Sequence, residues 1–379
     1  MTTFQQPATE LSEAVRLQRF RRMGDPLADA AVADLAHLPK SGIERLLHQI
    51  LEEGIDAVPD APESWKALFR QADHVPYWVN WKVMNQASQV FLKAGVLGVF
   101  SLCCYATPLF YSLSLGNKPL ASSGELKGRA PRRGRETARF VIETCLPNNL
   151  QRGADGFKVT MRVRLMHAHV RAGLLRSGHW DAEQLGLPIS QVYMAAMNAL
   201  LSMKWIEGLR KLGFHMDREE EEGIIQLWRY SAYLIGVDSE LQFATYAEAA
   251  HFLELVLAQE PEPDEDSRQL VSALLAAVPD VLGLEGRAGG LMHSLCRGLS
   301  YAMMGEVLGK QLDLPKTKWR YLGHLARAFI PIWRLLDRIF PSVHRTSQYY
   351  GTRFWLNLAE FPPQGGLEMF TSRHGRDGA

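Results

Sequence analysis

Arg164-Leu165-Met166-His167-Ala168-His169-Val170-Arg171 decides how this chain is read. Nothing in the run breaks a helix. On a helix Arg164, His167 and Arg171, spaced three and four apart, share one face. Val163, Val170 and Leu174 add apolar surface beside them. His169 points about 200° away from His167, so the two do not readily meet one iron, and His169 reads as structural. An imidazole between two cations, next to apolar surface, suits an iron carried by a flat apolar ring with two carboxylates, as in a haem. The same pattern also fits an ordinary amphipathic helix with a hydrogen-bonded structural histidine and solvated arginines.

Helical patterning continues on both sides. Leu11–Met23 reads as an amphipathic start, and Gly24-Asp25-Pro26 as a turn that opens a helix near Leu27. Ser41, with Glu44 three residues on, predicts a capped helix to Leu51. Trp65–Gln71 reads as a short helix, and Val79–Lys93 as one that leads into an apolar stretch. After a loop-like region from Gly116, helix resumes at about Glu136–Cys145. Pro188 is expected to open a helix ending at Gly213. Asp217 caps the next, with acidic residues in its first turn. Glu260–Asp266 reads as a solvated loop. No alternating run suggests a sheet, so the expected class is all-α.

The 379 residues are 47% hydrophobic and 22% charged, with a net charge of +1. That is an ordinary globular composition with no general pull toward nucleic acid or an anionic membrane. The basic residues Lys127, Arg129, Arg132, Arg133, Arg135 and Arg139 cluster, as do the acidic ones of Glu260–Asp266. Cys103, Cys104, Cys145 and Cys296 have no metal-site spacing and read as buried free thiols. Met1–Leu11 lacks the form of a secretory leader, which gives an expectation of a cytoplasmic protein. Ala94–Asn117 carries no charge and is long enough to span a bilayer. Its small residues and Pro108, which should kink or break a helix, favour a buried central helix pair. No P-loop, dinucleotide fingerprint or hydrolase motif stands in a supporting context.

Several segments in order resemble the latex-clearing protein family of haem b rubber oxygenases, grouped with the oxygenase of the mycophenolic acid pathway. They are Arg21-Arg22-Met23-Gly24-Asp25-Pro26-Leu27-Ala28-Asp29, the helix around Gly95 and Gly98, Arg133–Thr137, and Arg164-Leu165-Met166-His167 with Arg171. Leu212-Gly213, Glu219-Glu220 and Leu227-Trp228-Arg229-Tyr230 through Leu234-Ile235-Gly236-Val237 complete the set. The resemblance implies a globin-like helical core around haem b, with additional N- and C-terminal helices. It implies His167 as the proximal iron ligand and Arg164 and Arg171 beside the haem, holding its propionates or supporting the His167 helix. Arg133 and Thr137 fall on the distal side, where molecular oxygen and an alkene would meet; the alternatives are an exposed basic residue and a helix-start residue. The family carries a lysine immediately before the threonine. Here that position is Glu136, a poorer partner for ferrous iron.

The expected organisation is an N-terminal helical extension over 1–60, a haem-binding oxygenase domain over 61–345 and a tail over 346–379. The expected activity is oxidative cleavage of a carbon–carbon double bond in an apolar, isoprenoid-like substrate. Two other classes stay open: a haem-binding sensor or carrier without turnover, and a membrane-associated helical protein without cofactor. For the latter, Phe329–Phe340, with Trp333, Arg334 and Arg338, has the makings of a helix lying on a bilayer.

Overall fold

The structure is a computed structural model and describes residues 6–35, 39–122 and 130–360. Among the described residues every regular element is helical, so the class is all-α.

The first helices form where local chemistry asks for them. Asp25 caps Pro26–Asp34, its carboxylate accepting from the Ala28 N–H at 3.2 Å, and Pro26 occupies the first turn, where its missing N–H costs nothing. The next helix, Lys40–Glu53, differs from expectation. It starts after Pro39 without a side-chain cap, and Gly54 ends it at φ 96°. In Glu63–Asp73 the buried residues Trp65, Leu68, Phe69 and Ala72 recur at helical spacing. Trp65 donates from its indole to the Ala31 carbonyl at 2.8 Å, fastening this helix to Pro26–Asp34.

Trp81–Ser101 runs through the middle of the fold. It bends at Gly95 (φ 48°, ψ −129°) and continues through a wide π turn, Leu102–Ala106, into Thr107–Tyr111. Pro108 does not break the helix as expected. It lies in the first turn after the wide turn, and the Cys104 carbonyl, four residues back, accepts instead from Ser300 Oγ at 2.8 Å. Trp81–Tyr111 is apolar enough to cross a membrane, but 72% of its most apolar window is buried inside the protein.

A second wide turn, Leu200–Lys204, joins Gln191–Ala199 to Trp205–Lys211 and packs beside the first. The approach is close enough to require Gly208: a β-carbon there would fall 2.2 Å from Ser101 Oγ. The Gln191 helix begins after Ser190 rather than at Pro188, and Gly213, at φ 84°, follows the second segment. Asp217 and Glu220 form the full reciprocal cap of Arg218–Leu234.

Two expectations change. Glu260 is not solvated: only 3% of its side chain is exposed, and it accepts from Tyr193 Oη at 2.6 Å, Arg21 Nη2 at 3.1 Å and the Leu115 N–H at 3.0 Å. Burial nevertheless holds its carboxyl above the usual range. Asp264, in the same run, caps Glu265–Val281 and pairs with Lys118 at 2.6 Å. The C-terminal segment is no tail as far as residue 360. Pro341–Glu360 is a helix packed along Trp81–Ser101, with Trp355 buried and stacked on Phe91 at 4.4 Å. The cysteines are free thiols, all buried except the half-buried Cys103.

Candidate functional site

His167 sits in the middle of Asp155–Arg176, a helix of 22 residues that crosses the core. The residue as a whole is half-buried, yet its Nδ1 is sealed from solvent with no hydrogen-bond partner. Burial, and then the charge of Arg171, pushes the imidazole from 6.5 down to about 4, against the opposing pull of Asp25. At neutral pH the ring is therefore uncharged and keeps a lone pair, the state a metal ligand requires.

Beside His167, on the same helix face, the two arginines are engaged with protein groups. Arg164, 3% exposed, grips Asp25 through Nε at 2.6 Å and Nη2 at 3.1 Å. Its Nη1 donates to Gln71 Oε1 at 2.6 Å and to the Leu234 carbonyl at 3.0 Å. Arg171, 2% exposed, donates to the carbonyls of Pro188 at 3.0 Å and Ile189 at 2.8 Å and pairs with Asp29. Of the two alternatives read from sequence, this geometry matches support of the His167 helix. It spends the guanidinium donors on residues of the chain.

The same knot gathers segments far apart in sequence. Gln191 donates to the carbonyls of Gly24 at 2.7 Å and Gly236 at 2.9 Å, and its Oε1 accepts from the Asp238 N–H at 2.8 Å. Two glycines leave room for it. A β-carbon on Gly236 (φ 87°) would lie 2.1 Å from Asp25 Oδ2 and 2.7 Å from Arg164 Nε. One on Gly24 would lie 2.6 Å from Asp29 Oδ2 and 2.9 Å from Arg171 Nε. Sequence reading missed Asp25, Asp29 and Gln191 as members of the site. The signal available was the Asp25-Pro26 cap with Asp29 one helical turn on, which places two carboxylates at one helix start.

The expected distal residues lie on Ala130–Cys145, a helix that packs against the His167 helix. It begins at Ala130, earlier than the Glu136 expected. Glu136 is half-buried and Thr137 exposed. For Arg132 and Arg133 only the backbone is described, and Lys127 and Arg129 lie outside the described residues. Beyond these, the Nε atoms of Arg135, Arg139 and Arg229 and the Thr144 hydroxyl are also buried without hydrogen-bond partners.

Among the described residues no three His, Cys, Asp or Glu side chains come together to hold a metal ion. A single neutral histidine with an unpartnered nitrogen is instead the donor set for an iron that brings four ring nitrogens of its own. The residues present fit a haem in that sense.

Comparison with known proteins agrees with the all-α fold. The family model described as ER-bound oxygenase mpaB/B'/Rubber oxygenase, catalytic domain, matches residues 81–332, more than half of the chain. The rubber oxygenase of Streptomyces sp. (strain K30) is 24% identical over 336 residues, covering 81% of this chain and 76% of that protein. The solved structure of latex clearing protein in the closed state superposes with a TM-score of 0.69 at 20% identity, covering 89% of this chain and 91% of the other.

Proposed function

We infer the function of this chain from the family to which it belongs, that of the ER-bound oxygenase mpaB/B' and rubber oxygenase catalytic domain, and read it as an oxygenase that depends on haem b. The observation that carries the haem reading is His167: neutral, with Nδ1 buried and unpartnered, on a helix held by the buried Arg164–Asp25 pair and by buried Arg171, which pairs with the part-exposed Asp29.

In this reading His167 would hold the haem iron. When bound, haem b supplies an iron able to activate molecular oxygen. Arg164 and Arg171 tie the His167 helix to Asp25, Asp29 and the Pro188–Ile189 carbonyls, and so would hold the histidine in place for a bound iron. Thr137 would donate a hydrogen bond on the side opposite His167, and Arg133 would stabilise negative charge developing there. Glu136 stands where the resembling family has lysine, so that residue would offer a bound haem no side-chain amine.

The substrate class is an apolar, unsaturated, isoprenoid-like chain. One double bond and one molecule of oxygen give two carbonyls, with both oxygen atoms retained and no external reductant consumed. The rubber oxygenase relative supports this class by its name.

Absorption spectra of purified protein, oxidised and reduced, test the reading directly. A haem b spectrum is expected, lost or altered in His167→Ala and kept in His169→Ala. Oxygen uptake with carbonyl formation is expected across a panel of unsaturated isoprenoids. A haem signature unchanged in His167→Ala would overturn the ligand assignment. A haem spectrum with no oxygen uptake on any alkene would make the protein a carrier or sensor.

A further inference from the structure

The helix Leu322–Ile339 is packed inside out. Its buried side chains include Arg334 and Asp337, 5% and 2% exposed, while Leu325, Phe329, Ile332, Leu335 and Ile339 are each more than half exposed. Leu336 and Phe340 extend the same surface at 40% and 48%. At about 100° per residue these seven side chains occupy one continuous arc.

The polar side is held firmly. Arg334 chelates Glu220 through Nη2 at 2.9 and 2.8 Å and donates to the His215 carbonyl at 3.3 Å. Arg338 reaches Asp217 at 3.1 Å, and Asp337 faces Lys93 at 3.5 Å. The helix is thus anchored to the cap of Arg218–Leu234 by its charges and cannot simply roll its apolar face inward. Phe329–Phe340 was expected to offer Arg334 to a bilayer; that residue instead faces the protein. Large contiguous apolar patches of this kind mark interaction surfaces.

Beside the arc an apolar groove of about 680 Å³ opens between this helix, Pro341–Glu360 and the bend at Gly95. Its walls include Val96, Ile330, Trp333, Val343 and Phe354. Trp333 continues the exposed arc toward the groove. The surrounding charge is one-sided. Besides the buried Arg334 and the paired Arg338, residues 316–345 carry Lys316, Lys318, Arg320, Arg327 and Arg345, against the single acid Asp337, which is buried.

We propose that the exposed face of Leu322–Ile339, with the adjoining groove, seats the protein on an anionic phospholipid bilayer, parallel to the surface. The apolar arc enters the boundary between headgroups and acyl chains, and the basic residues around it meet the lipid phosphates. The groove then opens toward the acyl region and accepts a single apolar chain from it. This inference does not rest on the oxygenase reading. Colourless protein that binds vesicles would sustain it and defeat the other.

The test is co-sedimentation of the full-length protein with vesicles of phosphatidylcholine and phosphatidylglycerol, and with phosphatidylcholine alone. Binding to the mixed vesicles is expected, weakened by high salt and by omission of the anionic lipid. The triple variant Leu325→Ser, Phe329→Ser, Ile332→Ser should bind at least ~10-fold more weakly while keeping its helical circular dichroism. Lys318→Glu with Arg320→Glu leaves the apolar arc intact and should remove the preference for anionic lipid. Should the triple variant not fold, this charge pair and the single Phe329→Glu variant carry the test. Wild-type protein that ignores both kinds of vesicle overturns the proposal. So does a wild-type dimer that the triple variant converts to monomer without any vesicle binding, since the face is then a subunit interface. Binding that appears only after removal of residues 361–379 also overturns it, because the chain's own C-terminus is then the occupant.

Discussion

Arg164 holds Asp25 with two nitrogens, Nε at 2.6 Å and Nη2 at 3.1 Å, and so ties the His167 helix to the cap of a helix near the N-terminus. Both side chains are almost fully buried, at 3% and 4%. Removing one partner from such a pair leaves a buried charge without compensation and costs about 3–5 kcal/mol. Arg164→Met is therefore expected to lower stability by that order in chemical denaturation. Asp25→Asn combined with Arg164→Met should cost less than the sum of the two single changes.

Gly236→Ala is expected to destabilise by well over ~1 kcal/mol, because φ there is positive and the new methyl meets the Asp25 carboxylate. Gly290→Ala supplies the contrast. Gly290 is an exposed helical residue with open space where a β-carbon would go, so alanine should stabilise by about 0.5–1 kcal/mol. Equal effects from both substitutions in thermal melts would mean that the knot tolerates more room than its distances indicate.

For cofactor-free protein, His167 makes stability depend on pH. Its folded value is lowered to about 4 from 6.5, so as pH falls the unfolded chain takes up the proton first. The stability in question is complete above 6.5 and is lost progressively toward about 4. His167→Gln should flatten the melting temperature across that window. An unchanged slope would show that other groups dominate it.

On the distal side, Thr137→Val and Arg133→Ala should keep haem content near normal while oxygen uptake falls by ~10²-fold, the usual cost of one preorganised donor. Wild-type turnover in both variants would return them to surface roles. With Glu136 in place of lysine, carbon monoxide and imidazole should bind without a lag for ligand release. A resting spectrum with two strong nitrogen ligands, unaltered by Glu136→Ala, would defeat that expectation.

Sequence alone carried the helical class and much of the outline, because apolar spacing and end signals are local. Asp25-Pro26 and the Asp217/Glu220 cap are readable from a few letters and recur in the structure. The face shared by Arg164, His167 and Arg171 was readable too. Their partners were not, since Asp25 and Leu234 lie 139 and 70 residues from Arg164. Glu260 looked solvated for the same reason: an acidic run does not reveal that Tyr193 and Arg21 will enclose one member. The wide turn at Leu102–Ala106 was signalled only indirectly, by Pro108 just after it, and the one at Leu200–Lys204 by nothing in the local sequence.

The knot beside His167 also sets the smallest piece of this protein that can stand alone. The family match begins at residue 81, a natural place to cut an expression fragment. Yet both carboxylates that neutralise the buried arginines, Asp25 and Asp29, lie upstream, as does Gln71. A fragment from residue 81 would bury two guanidiniums with no counter-charge and would refold around them or fail. The first helices are thus a working part of the oxygenase module, supplied by a stretch of chain that the match leaves out.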